Sequence, residues 1–370
     1  MDLHNKRVLI TGASGFIGGR LADRLADEEG ARVRALVRDA SRVGARHFPS
    51  QDLADAKIDI NQPTNAGQHD LEDASPGQVV SGDVVDADAM RRAVDSCDAV
   101  IHCAAMQGGR AHLDDYRRVN VGGTLNLLRA ARAANVQQFI HISTINVHGY
   151  PPPRDANADS PLVFTGDFYS ISKAEGERAA WQFAREHNLP LTVIRPACTY
   201  GPRSEAWTML PLWRVRRGAP VLVGKGEGIC NAVYIDNLVD LVLLAMKNDA
   251  AIGQAFIGAE GRGVTWREFY GRYAQMVGIS NVNSLPRWAA LAAATGFEAL
   301  ARVTGTAPRL SRSSVEFYSH RVVFDIEKSR RLVGYGPRVS FEEGMRRTEE
   351  WLVEIGRAEE RQTQKMTTGQ

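Results

Sequence analysis

A glycine-rich turn set between a strand and a helix constrains this chain more than any other feature. Arg7-Val8-Leu9-Ile10 is a short apolar run, and Thr11-Gly12-Ala13-Ser14-Gly15-Phe16-Ile17-Gly18 follows it at once. Leu21, Leu25 and Ala26 then recur at helical spacing as far as Gly30, and Val33, Ala35 and Val37 alternate as a second strand. Strand, glycine turn, helix and strand within about 30 residues make a βαβ unit.

The rhythm continues. Strands are predicted at residues 78–80, 99–102, 139–143 and 191–194, with helices over 88–96, 116–135 and 170–187 between them. Such alternation requires a parallel sheet covered on both faces by helices, with ligands taken at the carboxyl ends of the strands. Residues 44–77 break the pattern: they hold six carboxylates, one lysine and no apolar periodicity, and are expected to form a mobile surface insertion. Beyond Gly201 the spacing becomes irregular, although residues 238–246 still read as a helix packed on the sheet. The expected division is a dinucleotide-binding domain over 1–200, joined again by 233–258, and a smaller substrate-binding lobe from 201–232 and 259–357. The polar tail, 358–370, is expected to be frayed.

Composition narrows the classes further. With 370 residues, 44% of them hydrophobic and 24% charged, the chain has ample material for a core, in one large domain or two modest ones. Forty-five basic against 43 acidic residues give a net charge of +2, too balanced for a dedicated nucleic-acid binder. No apolar run approaches the ~18 residues of a membrane span, and the polar start from Met1 to Arg7 leaves no room for a signal peptide. The four cysteines form no CxxC pair and none has metal-ligand spacing with histidine, so they read as reduced thiols of a cytoplasmic protein, Cys198 as packing.

The chemistry follows from the order of the motifs. Gly12, Gly15 and Gly18 give a GxxGxxG turn at the first strand–helix junction, where a pyrophosphate must approach backbone N–H groups and a Cβ would obstruct it. Ser14, Phe16 and Ile17 of the same turn are candidate dinucleotide contacts. At the end of the second strand Val37 stands where an acid would receive a ribose 2′-hydroxyl, and Arg38 follows, with Arg34 and Arg42 nearby. Guanidinium groups favour a 2′-phosphate, so NADP is preferred, while Asp39 keeps NAD open. Asp83 and Val84 after the third strand are placed for the adenine, with Asp83 as a plain turn or cap residue the alternative. Ala104 and Ala105, after the fourth, are small enough to lie against the dinucleotide.

Tyr169 and Lys173 stand at i and i+4 on one helix face, and Ser143-Thr144 ends the preceding strand. A lysine charge beside the tyrosine would favour its phenolate and poise it for proton exchange with a substrate hydroxyl or carbonyl, with Thr144 holding the substrate oxygen. Asn120 reads as a structural tie between helix and sheet.

With these residues in view, the chain resembles an extended short-chain dehydrogenase/reductase of the epimerase/dehydratase kind. The matching stretches are TGASGFIG (11–18), GDVVD (82–86), HCAA (102–105), ISTINVHG (142–149), YSISK (169–173), RPACTYGP (195–202) and YIDNL (234–238), with residues 332–351 similar to the family's closing segment. The resemblance implies an α/β, Rossmann-type doubly wound sheet with a smaller C-terminal substrate lobe. It selects Thr144 over Ser143 as the active hydroxyl, five residues before Gly149, makes Thr144, Tyr169 and Lys173 the catalytic group, with Tyr169 and Lys173 also contacting the cofactor, Lys173 at its ribose, and sets Pro196 near the nicotinamide. It also implies a homodimer through the helices at 115–135 and 170–187. His148 departs from the family, where tyrosine is common.

Two substrate classes compete. The stretch at 33–39 and the apolar segment at 285–308, with Trp288, Leu291, Phe297 and Leu300, resemble the branch of 3β-hydroxysteroid dehydrogenases and dihydroflavonol-type reductases, although the segment also reads as a core helix of the small lobe. A nucleotide-sugar epimerase would need cations such as Arg203, Arg214, Arg216 and Arg217 for a diphosphate; a dehydratase would want a carboxylate where Ile145-Asn146 supplies none. A non-catalytic dinucleotide sensor is the third reading, and it usually lacks the tyrosine or the lysine. The preferred expectation is an NAD(P)-dependent interconversion of a secondary alcohol and a ketone on a largely apolar small molecule.

Overall fold

Short apolar runs become the strands of one sheet, and those at its centre are buried throughout because helices cover both faces. The computed structural model describes residues 1–38, 78–108, 111–305, 308 and 310–358. The insertion expected at 44–77, Asp39, Arg42 and all but the first residue of the tail at 358–370 lie outside the described residues.

Six strands follow in chain order: β1 (Arg7–Thr11), β2 (Arg32–Val37), β3 (Gln78–Ser81), β4 (Ala99–His102), β5 (Gln138–Ile142) and β6 (Leu191–Pro196). A seventh, β7 (Ala255–Gly258), pairs with β6, and the sheet runs β7-β6-β5-β4-β1-β2-β3 with every pairing parallel. Every residue of β4, β5 and β6 is buried, as a sheet enclosed by helices requires. The strand order reverses between β1 and β4, which opens a crevice at their carboxyl ends, where doubly wound sheets take their ligands.

The helices that shape this rim are α1 (Phe16–Asp27), α2 (Ala87–Val94), α3 (Thr124–Ala133), α4 (Phe168–His187) and α5 (Ile235–Lys247). Helix α1 buries Leu21, Ala22 and Leu25, and packs beside α5 through a buried Arg24–Asp240 ion pair at 3.0 Å. Helix α4 begins at an Asp167 cap and ends at Asn188 in the left-handed conformation, a common helix stop.

The single helix expected over 116–135 is not continuous. A turn at Leu113–Arg117 leads into a π-helical stretch, Arg118–Gly123, before α3 begins. This wide turn carries the Asn120 side chain between the segment after β4 and helix α4: it accepts from Met106 N at 2.7 Å and donates to Met106 O at 3.0 Å and Ser172 Oγ at 2.9 Å. Tertiary hydrogen bonds override helical periodicity here.

After β6 the regular alternation stops. Cys198–Tyr200 pairs in parallel with Ala232–Tyr234, two further pairs are two residues long, and helices α6 (Arg287–Thr304) and α7 (Arg312–Ser319) follow. One buried cluster nevertheless extends from Leu3 and β1 through Tyr200, Trp266, Phe269 and Phe341 to Leu352. Helix α6 is not a core helix: it buries only Ala290 and Ala294, while Trp288 is 75% and Val303 85% exposed. Arg214 has burial against it, but the phenols of Tyr270 and Tyr318 hydrogen-bond it and hold its charge, and Arg217 stacks 4.5 Å over the Trp213 ring.

Candidate active site

The site is built where β1, β4, β5 and β6 end. Gly12 leaves β1 with φ +69°, and a Cβ there would stand 2.9 Å from the Ala104 backbone nitrogen, so glycine lets the two strand ends at the crevice touch. Gly18 faces back onto the Gly12 carbonyl, leaving no space for a side chain between turn and helix. Helix α1 starts at Gly15 with no side chain capping it, although the first N–H groups of a helix need an acceptor. The turn is therefore an open cradle of backbone donors at a positive helix end. Ser14, Phe16 and Ile17 are half-buried around it.

Below the turn lies a polar floor. Thr11 Oγ1 bonds His102 Nδ1 at 2.8 Å and receives the Ala104 N–H at 3.2 Å, and His102 Nε2 bonds Thr124 Oγ1 at 3.0 Å. Burial first and the Lys173 charge second pull the His102 imidazole down to about 3, which keeps it neutral. Asp83 folds back on its own loop, accepting from Val85 N at 3.1 Å, while Asp86 caps α2. Val84 is buried beside Gly123, and Asn126 donates to its carbonyl at 3.2 Å. Ala105 is exposed and Ala104 half-buried on the crevice side of β4.

The second half of the site comes from β5 and α4. Thr144 leaves β5 and accepts from Asn146 N at 3.3 Å, opening a one-turn helix at Ile145–His148. Its hydroxyl also faces the Tyr169 phenol, which sits in the first turn of α4. One turn on, Lys173 is 3% exposed and donates from Nζ to Ile142 O at 2.7 Å. Burial lowers the ammonium to about 8, against the carboxylate of Glu177. Tyr150 Oη donates to Asn146 Oδ1 at 2.9 Å, lies within electrostatic reach of Tyr169, and packs against Phe317 of α7 at 4.8 Å and His320 at 5.4 Å. Pro196 is buried at the end of β6.

Residues 8–257 match the NAD dependent epimerase/dehydratase family. The chain belongs to that family. Among its relatives are the 2-alkyl-3-oxoalkanoate reductase of Stenotrophomonas maltophilia, 28% identical over 92% of this chain and 98% of the relative, and the 3 beta-hydroxysteroid dehydrogenase/Delta 5-->4-isomerase of Mycobacterium tuberculosis, 29% identical over 90% and 86%. The dTDP-glucose 4,6-dehydratase of Streptomyces venezuelae, solved with NAD bound, superposes with a TM-score of 0.69 at 26% identity, covering 94% of this chain and 97% of that one. This chain is accordingly an extended short-chain dehydrogenase/reductase, and the uncapped α1 and the glycine cradle fit the dinucleotide that an enzyme of this NAD-dependent family requires.

Two expectations change. Arg34 does not serve the end of β2: it is buried midway along the strand, donating to Gln78 Oε1 at 2.9 Å and to the Ala93 and Asp95 carbonyls at 2.9 and 2.6 Å. Arg38 alone of the three arginines is described at the strand end, where it is exposed. The Tyr169 phenol is not drawn down by Lys173 in this structure: burial pushes it up, against the Thr144 hydroxyl, while the ammonium donates to the Ile142 carbonyl.

Two features went unread in the sequence. Glu177, fully buried eight residues beyond Tyr169, binds Ser143 and Arg195, and the signal was its place on the same helical stripe. The wall of Tyr150, Phe317 and His320 had no signal, since its parts are about 170 residues apart.

Proposed function

We propose that the protein interconverts a secondary alcohol and a ketone on a largely apolar small molecule, using a nicotinamide dinucleotide. The observation that carries this reading is the meeting of Thr144 at the end of β5 with Tyr169 in the first turn of α4, with Lys173 one turn along the same helix and bonded to the Ile142 carbonyl of β5. The site would hold a reduced nicotinamide as the source of hydride for a carbonyl carbon. Tyr169, kept protonated by burial, gives its proton to the carbonyl oxygen as that oxygen becomes a hydroxyl. Thr144 orients the same oxygen by hydrogen bonding. Lys173 binds the cofactor ribose and stabilises the phenolate that Tyr169 becomes.

Gly12, Ser14, Gly15, Phe16, Ile17 and Gly18 would hold the pyrophosphate, Asp83 and Val84 the adenine, and Ala104, Ala105 and Pro196 the remaining length of the dinucleotide. An apolar substrate is favoured by the ring wall of Tyr150 and Phe317 and by the reductase and steroid dehydrogenase relatives. Asn146 is amide rather than acid and is bonded to Tyr150, which disfavours dehydration chemistry. NADP preference rests on Arg38 and is checked by comparing NADPH and NADH affinity in Arg38→Ala, where only the first should weaken. A homodimer through the 113–133 segment and α4 is checked by sedimentation.

The deciding assay mixes the purified protein with NADH or NADPH and a panel of ketones and 3-oxoacids, and separately with UDP-sugars and oxidised cofactor. Net consumption of reduced cofactor on the ketone panel is the expected result. Sugar interconversion without net cofactor change would overturn it.

A further inference from the structure

A carboxylate taken wholly out of water is costly unless paired and hydrogen-bonded. Glu177 is 0% exposed, and both its oxygens are used. Oε2 accepts from Ser143 Oγ at 2.6 Å and from Arg195 Nε at 3.1 Å, and Oε1 from Trp181 Nε1 at 3.1 Å and Arg195 Nη2 at 2.5 Å. The other guanidinium arm donates to the Ala158 carbonyl at 2.6 Å and meets His148 Nε2 at 3.2 Å. His148 Nδ1 faces the Pro161 carbonyl at 3.2 Å, so its proton sits on Nδ1 and Nε2 accepts from Arg195. Burial pushes the Glu177 carboxyl up, but Arg195, Ser143 and Trp181 outweigh it and leave it below the usual value, hence charged.

Two of its three side-chain partners, Ser143 and Arg195, adjoin residues of the site. Ser143 precedes Thr144 at the end of β5, Arg195 precedes Pro196 at the end of β6, and Glu177 follows Lys173 by one turn of α4. We propose that Glu177 is a positioning residue, whose carboxylate clamps the ends of β5 and β6 to helix α4 and so holds Thr144, Tyr169 and Lys173 in one geometry. This rests on the reading of those three residues given above.

A pair serving stability alone is replaceable by apolar side chains of similar volume. Two features of Glu177 are not: its bond to Ser143, and its charge beside Lys173. The groups that face the Lys173 ammonium are Glu177 from its own helix, His102 from β4, His141 from β5 and the Cys103 thiol beyond β4. Burial holds both histidines neutral and pushes the thiol up to about 12, so Glu177 is the anion among these four at neutral pH.

The experiment follows the affinity of the intact protein for NADH and NADPH between pH 6 and 10 by nicotinamide fluorescence. In the wild type, affinity should fall as Lys173 loses its proton. In Glu177→Gln the midpoint of that fall should move about one pH unit lower, since a neighbouring opposite charge shifts a titration by roughly 1–3 units, and Glu177→Asp, which keeps the charge, should restore it. A Glu177→Gln protein that melts earlier but keeps the wild-type midpoint overturns the proposal. If Glu177→Gln does not fold, Ser143→Ala decides: amide hydrogen exchange over residues 143–149 should quicken about tenfold on losing a bond of ~1.4 kcal/mol, and unchanged exchange overturns the clamp. Lys173→Ala separates the two levels. If it binds both dinucleotides as the wild type does at every pH, the reading of the site fails and Glu177 has nothing to position.

Discussion

The two helices that point their N-termini at the crevice are finished in opposite ways. Helix α1 opens on Gly15 with no capping side chain, whereas α4 opens on Asp167, which accepts from Ser170 N at 2.9 Å and Ser170 Oγ at 2.8 Å. A capped end is electrostatically satisfied and has little use for an anion; an uncapped end between glycines is a site for one. The first helix contributes its backbone, the second its side chains. On the proposed reading, that division leaves the pyrophosphate to α1 and the proton transfer to α4, whose Lys173 serves binding as well.

The largest effect expected from breaking it is on the chemical side. On the proposed reading Tyr169→Phe removes the proton donor and leaves α1 untouched, so turnover should fall by about 10²–10⁴ while dinucleotide affinity by fluorescence titration weakens by less than about tenfold, the loss of one hydrogen bond. Gly15→Asp makes α1 resemble α4. The Gly15 backbone is extended (φ −88°), so aspartate is conformationally allowed as a cap, but its Cβ would stand 3.1 Å from the Gly12 carbonyl oxygen and the turn must yield slightly. Thermal stability should change by no more than about 1 kcal/mol, the cap offsetting the crowding, whereas dinucleotide affinity should drop by at least about a hundredfold, roughly 2.7 kcal/mol.

The floor beneath both helix ends gives a third test. His102 binds proton near pH 3 in the fold and near 6.5 when unfolded, so between those values the unfolded chain holds more protons. Stability is therefore lost as pH falls from 6.5 toward 3, by up to about 1.4 kcal/mol per pH unit from this residue. His148 and His320, both lowered to about 4 chiefly by burial, add to the same slope. Urea unfolding at pH 7, 5.5 and 4.5 should show the decline, and His102→Asn should flatten it. The smallest effect is that of Asp167→Ala: loss of the cap should cost about 1 kcal/mol in urea unfolding with dinucleotide affinity unchanged.

Much of this arrangement was legible before any coordinates. The strands read clearly because a sheet covered on both faces needs continuous apolar runs, as in Ala99–His102 and Leu191–Pro196. The glycine turn and the Tyr169/Lys173 spacing are local, so periodicity alone sets them on a turn and on one helix face. The helix expected over 116–135 failed where Asn120 is drawn off by Met106 and Ser172, partners that helical periodicity does not reveal. Arg34 looked like a phosphate ligand because it neighbours Arg38 in sequence; alternation puts both on one face, but Arg34 lies midway along the strand, where the Ala93 and Asp95 carbonyls take its guanidinium.

The sequence by itself determined the parallel sheet, the backbone cradle at Gly12–Gly18 and the tyrosine–lysine stripe, because each depends on contacts within one or two elements. Tertiary structure alone decided which charges are neutralised and which distant side chains meet. Glu177 finds Arg195 and Ser143 across three elements, and Tyr150 finds Phe317 and His320 only when the C-terminal helices fold over the rim. Burial and long-range pairing set the state of an ionisable group, and neither is written in its immediate neighbours along the chain.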